Sequence, residues 1–501
     1  MISPSASSST IPPDYEILDI PTLSTEAARD TFYGIYKKGK QSDGVNNILE
    51  QLDFHPLSIT LLTTVTHQNK WDASRLTRKW GSRRTGVLRT DHKKSLAATI
   101  ELSLASPMFQ ELGSHARALL EVVAFFPQGV DENNLAWLFP TIPNRENIFD
   151  KFYVLSLTHR NHDFVTMLAP LRDYLYPRDP ESSPLLCAIK ERFFTRLSAG
   201  IDPYKRGSEE ARWIMSEDVN VEHLLDAFTS ADANSNDVWD ACAAFMWHIG
   251  KLKPRPVVLG PKVEGLPDEH PSKPRCLVEL SGSLFSVGSF VENKRLLSHG
   301  LSLWRERGVD SQVALTLRYL AQANRVLGLY EEGILQMKEA LGIDERLDDT
   351  ARQVDSLQLL AWLLAGDGQV DAAEEAASHA ANLLSDKPSQ SQLCWHYHAL
   401  GYICDARGEM EAAINHYEKA FKIASSSDLH YEQVVFLRCL VAALLIEQRF
   451  DDTRVYLERL KSNGANDTVS LVMAAVIRTC VWCQQGRFKE AMSEVSRYPC
   501  V

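Results

Sequence analysis

The residues with the most chemistry per position occur in short, scattered sets. Cys480-Val481-Trp482-Cys483 has the spacing of a thiol redox pair or of half a zinc site. Trp395-His396-Tyr397-His398 places two imidazoles within one helical turn. Residues 69–94 carry nine Lys or Arg against two Asp, with Trp71 and Trp80 interleaved. That mix could contact phosphate or nucleic acid, because Arg pairs bidentately with phosphate and Trp stacks on bases. Gly39-Lys40 and Gly250-Lys251 supply two residue types of a phosphate-binding loop, and "HPLSITLL" (55–62) opens an apolar helix on a proline.

Each set also has a plainer reading. No second Cys/His pair is spaced to complete a metal site, so Cys480 and Cys483 are expected to be packing cysteines on a repeat helix. The histidines of 395–398 have no nucleophile or carboxylate beside them in the sequence. In the basic stretch, each Trp is expected to anchor a solvated connector to the subdomain below. Gly39-Lys40 is followed by Gln41, and Gly250-Lys251 by Leu252, with no Gly-rich lead-in at either place. A phosphate-binding loop needs such backbone amides, a Lys and then a Ser or Thr for magnesium. No Ser/His/Asp, Cys/His or two-carboxylate set amounts to an active site. The chain is therefore expected not to be an enzyme, and to hold no metal and no cofactor.

The totals frame those sets. At 501 residues, 45% hydrophobic and 24% charged, the chain has material for several domains with ordinary cores. A net charge of −12 argues against general nucleic-acid binding. No apolar run reaches bilayer length, and nine scattered cysteines fit a reducing, cytoplasmic setting better than a disulfide framework.

The elements that must position any site fall into five segments. Residues 1–13 are Ser-rich and end in Pro12-Pro13, a disordered tail. Residues 14–90 read as a helical subdomain, with Thr22–Ile35 as one amphipathic helix and Ser24 a suitable N-cap. Residues 91–178 alternate helices with short apolar strands; "ALLEVVAFFPQGV" (118–130) is a buried helix, and "FVTMLAPLRDYL" (164–175) is a strand turning into a helix. Residues 179–270 read as a helical connector, and the proline-rich 251–274 as a linker.

Residues 271–501 repeat. A glycine recurs every forty residues at Gly288, Gly328, Gly368 and Gly408, becomes Gln448, and returns as Gly486. Five residues after each comes a mostly small side chain: Asn293, Gly333, Ala373, Ala413, Thr453 and Ala491. A glycine ends a helix in a left-handed turn, and a small residue lets the next helix approach closely. Tyr330, Val370, Met410, Phe450 and Phe488 are expected to plug the gaps. The pattern resembles tetratricopeptide (TPR) repeats of an extended kind, six in all with the last one truncated. It predicts a mostly α fold ending in a right-handed α-solenoid.

The front half resembles the regulatory part of NB-ARC proteins, the signal-transduction ATPases behind NOD-like and apoptosome-like receptors. More narrowly, it looks like fungal members that end in TPR repeats. The residues carrying this are "LDIPTLSTEAARDTF" (18–32), "LDFHPLSITLL" (52–62), "SLAATIELSLAS" (95–106) and the two strings quoted for 91–178. The resemblance implies a helical subdomain followed by a winged-helix subdomain. It also implies that Pro56 matches the proline set against adenine, and that Leu168 stands where a histidine faces the phosphates. The leading Gly of the first motif is Phe54 here, and the His and Asp of the second are Leu168 and Ala169. "NHD" at 161–163 falls on the hairpin before the strand and does not replace them. The P-loop ATPase core of the family is missing from the sequence. Pro56 and Leu168 are thus expected to be relics, with no ATP hydrolysis by this chain.

Two functions follow. One is a non-catalytic interaction protein that binds a protein or peptide in its solenoid, in a setting such as fungal innate-immunity signalling. The alternative is a fragment of a nucleotide-dependent STAND switch, binding ADP or ATP through a core encoded upstream or supplied in trans. First helices of such repeats line the inner groove. Its inward positions are expected to include Arg318, Gln322, Arg325, Trp362, Trp395, His398, Tyr402 and Arg438, a mix suited to an acidic or C-terminal-carboxylate peptide. The last repeat meets Pro499 early and the chain ends at Val501, so its uncovered apolar face is expected to fray or to self-associate.

Overall fold

The computed structural model describes residues 23–36, 43–52, 54–82, 92–199, 209–231, 235–253, 255, 257–384, 388–427, 429–463, 468–484 and 486–495. The expected tail at 1–13, Gly39-Lys40, the middle of the basic stretch, Pro499 and Val501 lie outside the described residues. The chain divides into two compact units, Met1–Arg178 and Asp179–Val501.

The first unit opens with helices α1 (Thr25–Ile35), α2 (Asp43–Gln51), α3 (Pro56–Gln68), α4 (Ala73–Ser82) and α5 (His92–Leu104). Ser24 caps α1, its hydroxyl accepting from the Ala27 amide at 3.2 Å. Helix α3 begins on Pro56, where a missing N–H costs nothing. The His55 ring accepts from the Ser58 amide there at 3.4 Å. Trp71 and Trp80 are both buried in the core with Phe32, Ile48 and Leu62. The Trp80 indole donates to Gln51 at 2.9 Å. These tryptophans are structural anchors, as the plainer reading of the basic stretch required.

The unit continues through α6 (Pro107–Gln110), α7 (His115–Phe125), β1 (Val130–Asp131), α8 (Leu135–Leu138), α9 (Arg145–Val154), β2 (His159–Asn161), β3 (Phe164–Thr166) and α10 (Ala169–Leu175). The strands form an antiparallel sheet in the order β1-β3-β2, with Val165 opposite Val130 on one side and Arg160 on the other. Gly129 turns α7 into β1 at φ +84°, and a Cβ there would lie 2.1 Å from the Val165 carbonyl oxygen. Only glycine fits. The 161–163 segment is the β2–β3 turn, with His162 at φ +51°.

The second unit is an α-solenoid of TPR-like hairpins. Its helices are α11 (Pro184–Ser198), α12 (Glu209–Ala231), α13 (Asn236–Leu252), α14 (Gly260–Gly265), α15 (Lys273–Ser286), α16 (Phe290–Glu306), α17 (Asp310–Val326), α18 (Tyr330–Arg346), α19 (Thr350–Gly366), α20 (Val370–Leu383), α21 (Gln390–Ala406), α22 (Met410–Ser426), α23 (His430–Ile446), α24 (Phe450–Asn463), α25 (Thr468–Gln484) and α26 (Phe488–Val495). Each of α16 to α19 is 17 residues long. The forty-residue period therefore divides into two nearly equal halves. Gly308 and Asp348, at φ +67° and +54°, make the turns between hairpins in the same left-handed way as Gly328 and Gly368 within them. Gln448 keeps that conformation without glycine, at φ +56°.

Close helix approach is what the small residues permit. Ala373, Ala413 and Thr453 are fully buried, and the Asn293 amide donates to the Ser281 carbonyl at 2.7 Å. A Cβ at Gly333 would touch Leu363 at 3.0 Å. Among the expected plugs, Tyr330 and Val370 pack against the core, but Phe488 is 64% exposed. It has no following described helix to cover it.

Residues 251–274 are not an open linker. Leu259 and Val263 are fully buried, and the segment is pinned by acids on α12. Asp218 receives Lys253 at 2.8 Å and Arg255 at 3.0 Å, while Glu222 receives Arg255 at 2.6 Å. The ammonium of Lys273 then donates to the carbonyls of Val263, Glu264 and Leu266 at 2.9, 2.6 and 2.7 Å. Val263 also accepts from the Leu266 amide at 3.3 Å, but the Glu264 and Leu266 carbonyls have no helical partner of their own, so a side chain supplies it. Proline removed backbone donors here, and side-chain charge replaced them.

Candidate functional site

Helices α13, α17, α19, α21 and α23 converge on a cavity of about 320 Å³ inside the second unit. Its size suits a short peptide segment or a small organic group. Of the residues expected to line the groove, Arg318, Gln322, Trp362, Trp395 and His398 do so. Arg325 and Tyr402 stand behind them: the Arg325 guanidinium lies 3.8 Å from the Trp362 ring centroid, and the Tyr402 ring lies 5.0 Å from it. Arg438 is half-buried on α23 and is not among the lining residues.

The charges differ from the sequence expectation. Arg318 is only 7% exposed and is spent on a buried ion pair with Asp344 at 2.8 Å. Ser356 completes this set, donating to Asp344 at 2.7 Å. Arg318 is thus a structural cation, because burial without a partner would be prohibitive. Arg352 reaches Asp355 at 3.6 Å. His398 is fully buried, and burial holds its pKa well below the usual histidine value. Its Nε2 lies 3.5 Å from the Cys439 thiol, whose pKa burial raises. A neutral imidazole beside a neutral thiol is not an activated nucleophile.

Several lining residues escaped the sequence reading. Trp247 and Lys251 come from α13, where the proline-rich stretch hid the end of a helix. The Lys251 ammonium sits 5.2 Å from the Trp247 ring and 4.3 Å from that of Tyr431, which belongs to α23. Asp355 and Glu432 also face the cavity. Glu432 lies one helical turn before Phe436, whose ring meets Trp395 and His398, and that spacing was the available signal.

A second cavity, of about 750 Å³, lies within the first unit. Pro56 and Leu168, drawn from the two degenerate motifs, both line it, together with Leu57, Tyr153 and Thr158. None of its lining residues among those described is Lys or Arg. Leu168 is 49% exposed at its rim. Elsewhere, Cys480 and Cys483 are exposed rather than packed, which corrects the packing expectation: helix α25 turns that edge outward, with Val476 53% exposed beside them. Among the described residues no group of three or more His, Cys, Asp or Glu could hold a metal ion. No described helix is long and apolar enough to cross a membrane.

The hairpins and the cavity they enclose define a TPR-like helical-repeat protein. No family model matches the sequence, and no curated protein matches it. Among solved structures, the chain is similar to a Signal Transduction ATPase with Numerous Domains (STAND) protein with a tetratricopeptide repeat sensor from Pyrococcus horikoshii. The TM-score is 0.55 at 12% identity, over 95% of this chain and 67% of that one. At that identity the likeness is one of fold. A Rap protein complexed with competence and sporulation factor overlaps at TM-score 0.44 and 13% identity, over 62% of this chain and 87% of that one. The APC/C hetero-tetramer Cut9–Hcn1 overlaps at 0.34 and 14%, over 94% and 86%. Neither of these two overlaps is close enough to establish a shared fold.

Proposed function

We propose that the chain is a non-catalytic, cytoplasmic interaction protein that takes a peptide or a segment of a partner protein into the cavity of its second unit. The observation that carries this reading is the cavity itself, walled by Trp247, Trp362, Trp395 and Tyr431 and edged by polar groups. Aromatic walls with a few fixed polar groups are what peptide recognition uses. Gln322 is half-buried on the cavity wall, so a larger side chain there fills the space without breaking a buried ion pair. Random peptides displayed on phage and selected on the full chain should bind Gln322→Trp at least about tenfold more weakly. Equal binding to wild type and variant would move the site elsewhere and reject the reading.

On this proposal the first unit is the helical and winged-helix part of an NB-ARC-type signalling protein of the fungal kind, and α7, α9 and the three-stranded sheet support that assignment. A second reading, a piece of a nucleotide-dependent switch, is favoured by one observation: Pro56 and Leu168 share a cavity. Among the described lining residues there is no Lys or Arg to hold phosphates. Calorimetry of the purified chain with Mg-ATP is therefore expected to show no binding and no hydrolysis. Micromolar binding lost in Pro56→Ala would establish the second reading instead.

A further inference from the structure

Glu432 is a carboxylate of the second unit's cavity that neither arginine there pairs with. Arg318 is held by Asp344 at 2.8 Å and Arg352 by Asp355 at 3.6 Å. Lys251 rests against the rings of Trp247 and Tyr431. Glu432 faces the same space and is 3% exposed. One of its oxygens accepts from the Ser391 hydroxyl at 3.2 Å, while the other, Oε2, is buried near the Trp395 indole with no hydrogen bond of good geometry. A buried carboxylate oxygen left without a donor is costly, and native proteins rarely leave one idle. The wall beside it is aromatic, with Trp395 and Tyr431 lining the same cavity.

We infer that this cavity binds a peptide through a primary ammonium group, seated against Glu432 and faced by the Trp395 ring. The inference rests on the peptide-binding reading and fixes the sign of charge that the cavity takes. An ammonium supplies the donor that Oε2 lacks, and aromatic faces attract a cation at short range. Burial raises the Glu432 pKa, and its partial counterweights include Ser391, Lys251 and Trp395. In the adjoining space Glu279 is likewise raised, to about 7, by burial. Burial is the largest cause at both carboxyls, so a cation seated beside them would favour their charged form. A carboxylate ligand would add a further anion beside Glu432 and Glu279.

Two ammonium sources share this chemistry, the α-amine of a peptide and a lysine side chain. Three sets of random pentapeptides separate them when titrated against the full chain by calorimetry. One set has free α-amines, amidated ends and no Lys or Arg. The second is acetylated and amidated with one central Lys. The third is acetylated, ends in a free carboxylate and has no Lys or Arg. Binding of the first or second set is expected, weakened about tenfold or more in Glu432→Gln. That substitution keeps an acceptor for Ser391 and removes a buried charge, so its thermal unfolding should be no lower than wild type. The set that binds identifies the source. If the carboxylate set binds wild type as tightly as the amine sets, or if Glu432→Gln leaves amine binding unchanged, the inference fails and the peptide-binding reading stands. If no set binds, both fail.

Discussion

Arg318→Met should destabilise the second unit by about 3–5 kcal/mol, because it leaves Asp344 charged, buried and alone. Asp344 is 2% exposed and takes Arg318 at 2.8 Å and Ser356 at 2.7 Å. The three residues come from α17, α18 and α19, so one loss loosens three consecutive helices. Urea unfolding of the full chain measures this, followed through tryptophan emission. The double variant Arg318→Met with Asp344→Asn should recover a large part of the loss, since the orphan charge is gone. A single-variant cost below about 1 kcal/mol would show that water reaches Asp344 and that the pair is a surface one. Charge reversal at Arg318 is therefore a test of folding, not of ligand binding.

The second large effect is expected at Lys273. Its side chain is almost wholly buried, and its ammonium gathers the carbonyls of Val263, Glu264 and Leu266. Lys273→Met matches the volume but supplies no donor, leaving the Glu264 and Leu266 carbonyls to water or to nothing and Val263 with the Leu266 amide alone. At about 1 kcal/mol or more for each orphaned carbonyl, the loss should be about 2–4 kcal/mol. Burial lowers the pKa of the lysine, so part of that loss is offset by sparing a buried charge. Local hydrogen exchange should show protection falling first across α14 and the start of α15. Lys338→Met, at an exposed lysine of α18, is the matched control and should change little. Equal stability for the two variants would mean that α14 ends in solvent.

How much of this was legible in the sequence depends on whether the cause was local. The hairpins were visible because a left-handed turn and a small residue leave marks within five positions, as at Gly328 and Gly333. The turn at Asp348 was hidden, since it takes φ +54° with no glycine to announce it. The inner groove was legible in part: Trp362, Trp395 and His398 sit on inward faces of helices whose phase the turns set. The state of the charges was not. Arg318 reads as a free cation until Asp344, on the next helix, is seen beside it. Prolines in 251–274 suggested a linker, because the acids that fix the segment, Asp218 and Glu222, lie some thirty-five residues upstream on α12. Pro56 and Leu168 were placed by resemblance to known motifs, and the first unit does bring them to one cavity.

The contact of Lys251 with Tyr431 changes how this solenoid must fold. Repeat arrays ordinarily behave as a line of neighbours, in which structure can nucleate anywhere and unzip from either end. Here an ammonium on α13 rests 4.3 Å from a ring on α23, with four intact hairpins of chain between them. That contact closes the line into a loop. Forming it needs a long stretch of chain to order first, which raises contact order and slows the last step of folding. Once closed, it links the melting of an early helix to that of a late one by about the 0.5–1 kcal/mol that such a cation–ring contact supplies.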